Sequence, residues 1–121
     1  MMTNTKEFQA GVSVAPVTDW HYYDTKWAEF GMKRPVDNPE GYESTSFVKT
    51  AKNLHGSLLL VHGTYDDNVH PQNSWHFIDE LVKENIQFEM MFYPMRKHGI
   101  ADDEARFHLY TKMLSFWELK L

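Results

Sequence analysis

The sequence predicts an α/β fold, with about three parallel strands and helices packed on them. Two observations lead there. Segments of strand character alternate with segments whose apolar residues recur every three or four positions, giving the order strand, helix, strand, helix, strand, helix. The apolar run at residues 58–61 is also unbroken, as in a strand covered on both faces within a parallel sheet. Such an order implies parallel strands joined by right-handed crossovers.

Taken in turn, residues 10–16 (AGVSVAP) read as the first strand, because β-branched side chains favour a pleated surface and Pro16 removes a ladder donor. From Asp19, a suitable N-cap, the aromatics Trp20, Tyr23, Trp27 and Phe30 recur at helical spacing, which predicts a helix ending near Gly31. Residues 33–47 gather proline, glycine, asparagine and serine and read as a loop. Residues 58–61 form the second strand, ended by Gly63. Between residues 72 and 84, Trp75, Ile78, Leu81 and Val82 mark one face of a second helix, while Asp79, Glu80, Lys83 and Glu84 face water. Residues 88–93 form the third strand, before Pro94. Residues 102–120 form the closing helix: Asp102, Asp103 and Glu104 suit its positive N-terminus, and Leu109, Met113 and Phe116 or Trp117 supply the buried stripe.

Composition narrows the function. A chain of 121 residues, 42% hydrophobic and 15% aromatic, suits one small globular domain over residues 1–121. A net charge of -5 without a Lys/Arg cluster argues against nucleic acid or an anionic membrane as partner. No run approaches the roughly 18 apolar residues of a membrane span, and the polar start MMTNTKEFQ lacks the apolar centre of a signal peptide, so the chain is expected to be soluble. Absence of cysteine excludes disulfides and thiolate metal sites but leaves the compartment, periplasmic or cytoplasmic, to whatever precedes these residues.

In parallel sheets, ligands and catalytic groups collect beyond the carboxyl ends of the strands. Those ends carry residues 17–19, 62–70 and 95–100, the chemically richest segments of the chain. His62, Asp66, Asp67, His70 and His98 offer nitrogen and oxygen ligands, but their spacing matches no standard metal motif, so no metal or other cofactor is expected. Asp66 and Asp67 also suit turn capping. Alternatively, Asp66 or Asp67 after one strand can meet His98 after its neighbour, as the acid and base of a hydrolytic triad, and an acid preceding a histidine near the chain's end fits the order known in α/β-hydrolases. A nucleophile should lie upstream. The nearest approach to the G-x-S-x-G elbow is Gly11-Val-Ser13-Val-Ala15, yet Ser13 lies inside a strand and not at a strand-to-helix turn. Serines 44, 46, 57, 74 and 115 lack that context as well, so none of the chain's serines is expected to be the nucleophile.

Several stretches, in order, carry a family likeness: Val14-Ala-Pro-Val-Thr-Asp-Trp20, Tyr22-Tyr-Asp24, Asn38-Pro-Glu-Gly-Tyr42, Leu59-Leu-Val-His-Gly-Thr64, Asp66-Asp-Asn-Val-His70 and His98-Gly-Ile100. From about Phe8 onward the chain resembles the C-terminal catalytic region of dipeptidyl peptidase IV-type serine peptidases of the prolyl oligopeptidase family. The resemblance implies the C-terminal part of an α/β-hydrolase fold bearing a Ser-Asp-His triad, usually preceded by a β-propeller. By motif it makes Asp66 the catalytic acid and His98 the base, matches Asn68 to a residue that binds a substrate carbonyl, and matches Val17, Trp20, Tyr23 and Val69 to the apolar pocket for the proline side of the cleaved bond. Trp27 stands where these enzymes commonly have tyrosine, which leaves it between that pocket and an ordinary helix-to-sheet core. The implied substrate is a peptide with proline or alanine in second position. An aromatic pocket suits a proline ring, which offers apolar area and no amide hydrogen.

The nucleophile elbow, its oxyanion donors, the propeller and the glutamates that would hold a peptide N-terminus have no counterpart in these residues. MMTNTKEF resembles the tail of the helix that follows the elbow, so the sequence reads as the last part of a larger peptidase, inactive alone. The alternative expectation is a non-catalytic, self-associating α/β module, since an uncovered sheet edge and apolar surface favour a homodimer or higher oligomer.

Overall fold

The computed structural model describes all 121 residues. Three strands, β1 (Ala10–Val14), β2 (Ser57–Gly63) and β3 (Glu89–Tyr93), form one sheet in the order β1-β2-β3. Both pairings are parallel, with Val12 beside Leu59 in one and Val61 beside Met91 in the other. The fold is therefore α/β with three parallel strands, as the alternation of elements predicts.

The unbroken apolar run explains why β2 is central. Side chains alternate across a strand, so Leu59 and Val61 join Tyr93, Ile100, Ala105, Leu109 and Phe116 in one core. Leu58 and Leu60 join Ala51, Leu54, Phe77 and Leu81 in the other. Each fully buried leucine contributes about 1.5–3 kcal/mol. Helix α4 (Asp103–Lys120) covers the first face and α3 (Gln72–Lys83) the second, which leaves the C-terminal ends of β2 and β3 side by side.

Three local expectations are corrected. The helix expected from Asp19 to Gly31 is broken into a 3-10 turn (Trp20–Tyr22) and α1 (Thr25–Met32). Two aspartates compete to cap it: Asp19 accepts from the His21 amide and Asp24 from the Trp27 amide, with extended backbone at Tyr23 between the two turns. Trp27 is consequently 63% exposed and Phe30 88% exposed, so neither belongs to a helix-to-sheet core.

The stretch 33–47 is not wholly loop, because it contains α2 (Pro39–Ser44). Asn38 caps α2 through the Gly41 amide, and Pro39 supplies the fixed φ that suits a first helical position. Buried Tyr42 ties this helix back, donating its hydroxyl to the Lys33 carbonyl.

Helix α3 lies where expected but presents a rotated face: Trp75 and Val82 are exposed, whereas Asn73, Ser74, Phe77 and Leu81 are buried. Hydrogen bonding decides this rotation. Asn73 Oδ1 accepts from the Thr18 amide, and Thr18 Oγ1 donates to the Asn73 carbonyl at 2.6 Å, so both polar groups are satisfied without water.

Candidate active site

The loop after β2 carries Asp66, and the loop after β3 carries His98. Gly63 lets the two loops approach, because a Cβ there would collide with the carbonyl oxygens of Arg96 and Lys97. The Tyr65 amide then donates to the Arg96 carbonyl at 3.0 Å, and Thr64 Oγ1 accepts from the Met95 amide at 2.9 Å. Met95 and Ile100, at φ 61° and 41°, bracket His98 in left-handed backbone that residues with side chains seldom adopt. Such strain persists only where surrounding contacts over-determine the chain. Here the contacts include paired hydrogen bonds from Arg96 to Asp102, at 3.0 and 3.1 Å.

The side chain of Asp66 is fully buried. Its Oδ1 accepts from the amides of Asn68 and Val69 at 3.0 and 2.9 Å, closing the turn. Its Oδ2 lies 2.9 Å from His98 Nδ1. Capping and acid–base pairing, set out above as alternatives, are thus divided between the two oxygens of one carboxylate. A carboxylate only accepts, so His98 Nδ1 carries the proton and the lone pair is left on Nε2. The His98 side chain is 45% exposed, within reach of a partner from solvent.

Asp67 points elsewhere. It pairs with Lys97 at 2.7 Å, and that hydrogen bond and charge hold its carboxyl below the usual carboxylate value. Of the two adjacent aspartates, only Asp66 meets His98.

The other sequence-predicted residues divide into two groups. Asn68, Tyr23, Trp20 and Val69 gather beside Asp66: Tyr23 donates its hydroxyl to Asn68 Oδ1 at 2.8 Å, and Trp20 meets Tyr23 edge-on with ring centroids 5.9 Å apart. Buried Val69 sits on the turn that Asp66 closes. Val17 instead lines an apolar cavity of about 410 Å³ beside β1, with Phe8, Phe47 and Phe77. Trp27 stands on α1 and shares no ring contact with Trp20 or Tyr23. Ser13 is an interior residue of β1, and no hydrogen bond joins any of the six serines to His98.

Asp19 anchors the segment that carries Trp20 and Tyr23. Burial pushes its carboxyl upward, but hydrogen bonds from Ser46 Oγ and from the amide and ring of His21 outweigh that and hold it below the ordinary value. No group of three or more His, Asp or Glu side chains is arranged to hold a metal ion.

Sequence reasoning missed the surroundings of His62, a fully buried imidazole. Its Nδ1 lies 2.6 Å from Ser74 Oγ, and its Nε2 lies 2.7 Å from the Val69 carbonyl and 3.2 Å from Asp66 Oδ2. Its place inside a buried strand, four residues before Asp66, was the available signal.

Comparison with known proteins identifies the family. The family model described as the prolyl oligopeptidase family matches residues 1–121. "Probable dipeptidyl-aminopeptidase B" of Aspergillus oryzae is 44% identical over 112 residues, and dipeptidyl peptidase 4 of Bos taurus is 40% identical over 112 residues. These alignments cover 91% and 90% of the chain but 12% and 15% of the relatives. The crystal structure of Porphyromonas gingivalis dipeptidyl peptidase 4 superposes on 99% of the chain with a TM-score of 0.97 at 40% identity, and on 17% of its own length. The chain therefore spans less than a fifth of each relative. Matched over every residue and superposing on a solved peptidase at that identity, it belongs to the prolyl oligopeptidase family.

Proposed function

We propose that residues 1–121 supply the acid, the base and part of the substrate pocket of a serine dipeptidyl peptidase that cleaves peptides after a proline or alanine in second position. The observation that carries this reading is the 2.9 Å contact between Asp66 Oδ2 and His98 Nδ1, in a chain of this family. The nucleophilic serine, its elbow and its oxyanion donors belong to polypeptide outside these residues. His98 Nε2 takes the proton from that serine, and Asp66 stabilises the imidazolium formed. Held by two backbone amides, the carboxylate needs no reorganisation as charge develops. Asn68 donates its side-chain amide to a substrate carbonyl, because Tyr23 already occupies its oxygen. Trp20, Tyr23 and Val69 receive the proline ring, whereas Val17, in the cavity beside β1, and Trp27, exposed on α1, stand apart from them.

The test is a chimera in which this chain replaces the matching segment of Porphyromonas gingivalis dipeptidyl peptidase 4. Hydrolysis of a Gly-Pro nitroanilide is expected of the chimera and not of the isolated chain. In the chimera, Asp66→Asn should lower kcat about 10⁴-fold and His98→Ala about 10⁶-fold. Retention of activity in either variant would sink the proposal, as would turnover by the isolated chain that Ser13→Ala abolishes.

A second reading, a homo-oligomer, is favoured by helix α4. Phe107, Tyr110 and Leu114 are exposed and fall within about 60° of one another around the helix, opposite the buried face of Ala105, Leu109 and Phe116. A helix apolar on both sides is normally covered on both, and a second copy offers the same stripe in return.

A further inference from the structure

We propose that His62 is a positioning residue: its imidazole N–H donates to the Val69 carbonyl and presents its positive edge 3.2 Å from Asp66 Oδ2, so that the pocket-bearing turn and the acid aimed at His98 are held in place together. The inference rests on the reading of Asp66 and His98 as acid and base. It starts from hydrogen-bond accounting at a ring with no access to water. A carbonyl only accepts, so the 2.7 Å contact with the Val69 carbonyl places a proton on Nε2. Nδ1 then faces Ser74 Oγ at 2.6 Å. The Ser74 hydroxyl has no other acceptor, and a buried O–H left unpaired is costly. It therefore donates to Nδ1, and His62 is the uncharged Nε2–H tautomer.

That tautomer directs the Nε2 proton toward the segment 66–69. Asp66 Oδ2, 3.2 Å from Nε2, lies close enough for its negative charge to be drawn to that N–H, while the hydrogen bond itself goes to the Val69 carbonyl. The carboxylate is thereby held by three hydrogen bonds, from two amides on Oδ1 and from His98 on Oδ2, and by the electrostatic contact of Oδ2 with His62. Without His62, Oδ2 keeps one partner, on a half-exposed side chain, and the carboxylate can turn about its last torsion. Ser74 belongs to α3 and His62 to β2, so the aim of the acid is referred to the buried packing of a helix on a strand instead of to its own loop. This placement also explains the rotated face of α3, which buries a serine where an apolar residue is expected.

The decisive measurement is long-range ¹H–¹⁵N correlation on the ¹⁵N-labelled 121-residue chain, which reports the tautomer of each of its seven histidines. Wild-type His62 should appear as the uncharged Nε2–H form, and His98 should show a low-field, slowly exchanging Nδ1 proton. Either the Nδ1–H form or a cationic ring at His62 would overturn the proposal, whether or not any variant folds. His62→Leu should lose the low-field His98 proton to exchange, whereas His62→Gln, which returns an N–H donor, should keep it. A folded His62→Leu chain that retains that signal also overturns the proposal. Asp66→Asn separates the two levels. It should abolish the His98 signal and shift the His62 Nε2 proton upfield. Should Asp66→Asn leave His98 unchanged, the acid–base reading itself fails, whereas a His98 that responds to Asp66→Asn but not to His62→Leu removes only the role of His62.

Discussion

At Asp66 two tasks fall on one carboxylate, and each oxygen takes one. Oδ1 closes the turn 66–69 and Oδ2 meets His98, so the local structure that an aspartate favours also fixes the direction in which the acid points. Gly63 is the other residue on which this depends, because only a missing side chain lets the carbonyls of Arg96 and Lys97 lie against the end of β2. Gly63→Ala should therefore cost about 1–3 kcal/mol, as overpacking does, and disturb the low-field His98 proton. Gly31→Ala provides the contrast. Nothing lies within 4 Å of a Cβ at that position in α1, and an alanine there should stabilise by up to about 1 kcal/mol through helix propensity. Urea denaturation at constant m-value separates the two outcomes, and equal effects would contradict the close approach at Gly63.

Among the elements, α4 shows most plainly how a terminus positions the site. Asp102 caps it through the Ala105 amide and takes both hydrogen bonds from Arg96, two residues before His98, so the helix start and the loop carrying His98 are tied to one carboxylate. The Arg96 hydrogen bonds, followed by the Ala105 amide, hold the Asp102 carboxyl down to about 2 from an ordinary 3.8. A depressed carboxylate stabilises the fold fully above its unfolded value, and that contribution fades as pH falls through the folded one. The Tm of the wild type should accordingly drop between about pH 4 and about pH 2. In Asp102→Asn, which keeps a cap but cannot ionise, the drop across the same window should be smaller. The difference should be modest, because both partners are about a third exposed and solvent screens the pair. Equal pH dependence in the two chains would show that Asp102 is not linked to folding.

For the whole molecule, what leaves the core open is as informative as what closes it. The sheet has β1 and β3 as its edges, an apolar cavity of about 410 Å³ beside β1, and the outward stripe of α4. If α4 is the self-association surface, light scattering should report a dimer or larger species, and Phe107→Glu with Leu114→Glu should return the monomer with the secondary structure intact. A wild-type chain that stays monomeric at high concentration would rule that out. At this scale the division between sequence and structure is also clear. Three strands, their parallel order, the helices at 72–83 and 103–120 and the residues gathered at the strand ends are all legible in the sequence, because hydrophobic period, proline, glycine and capping side chains act within a few residues of themselves. The break after Tyr22 was written there too, in the second cap Asp24, but was obscured by aromatics at helical spacing, of which Trp27 and Phe30 turn out to face solvent. Spacing left open which aspartate meets His98, 32 residues away, although the family motif points to Asp66; only tertiary structure decided which face of α3 is buried, since Asn73 answers to Thr18 across 55 residues. The same holds for His62, whose partners Ser74 and Val69 reach it only once strand, turn and helix have packed. These choices turn on satisfying individual buried donors and acceptors, a condition that exists only after the chain has closed around them.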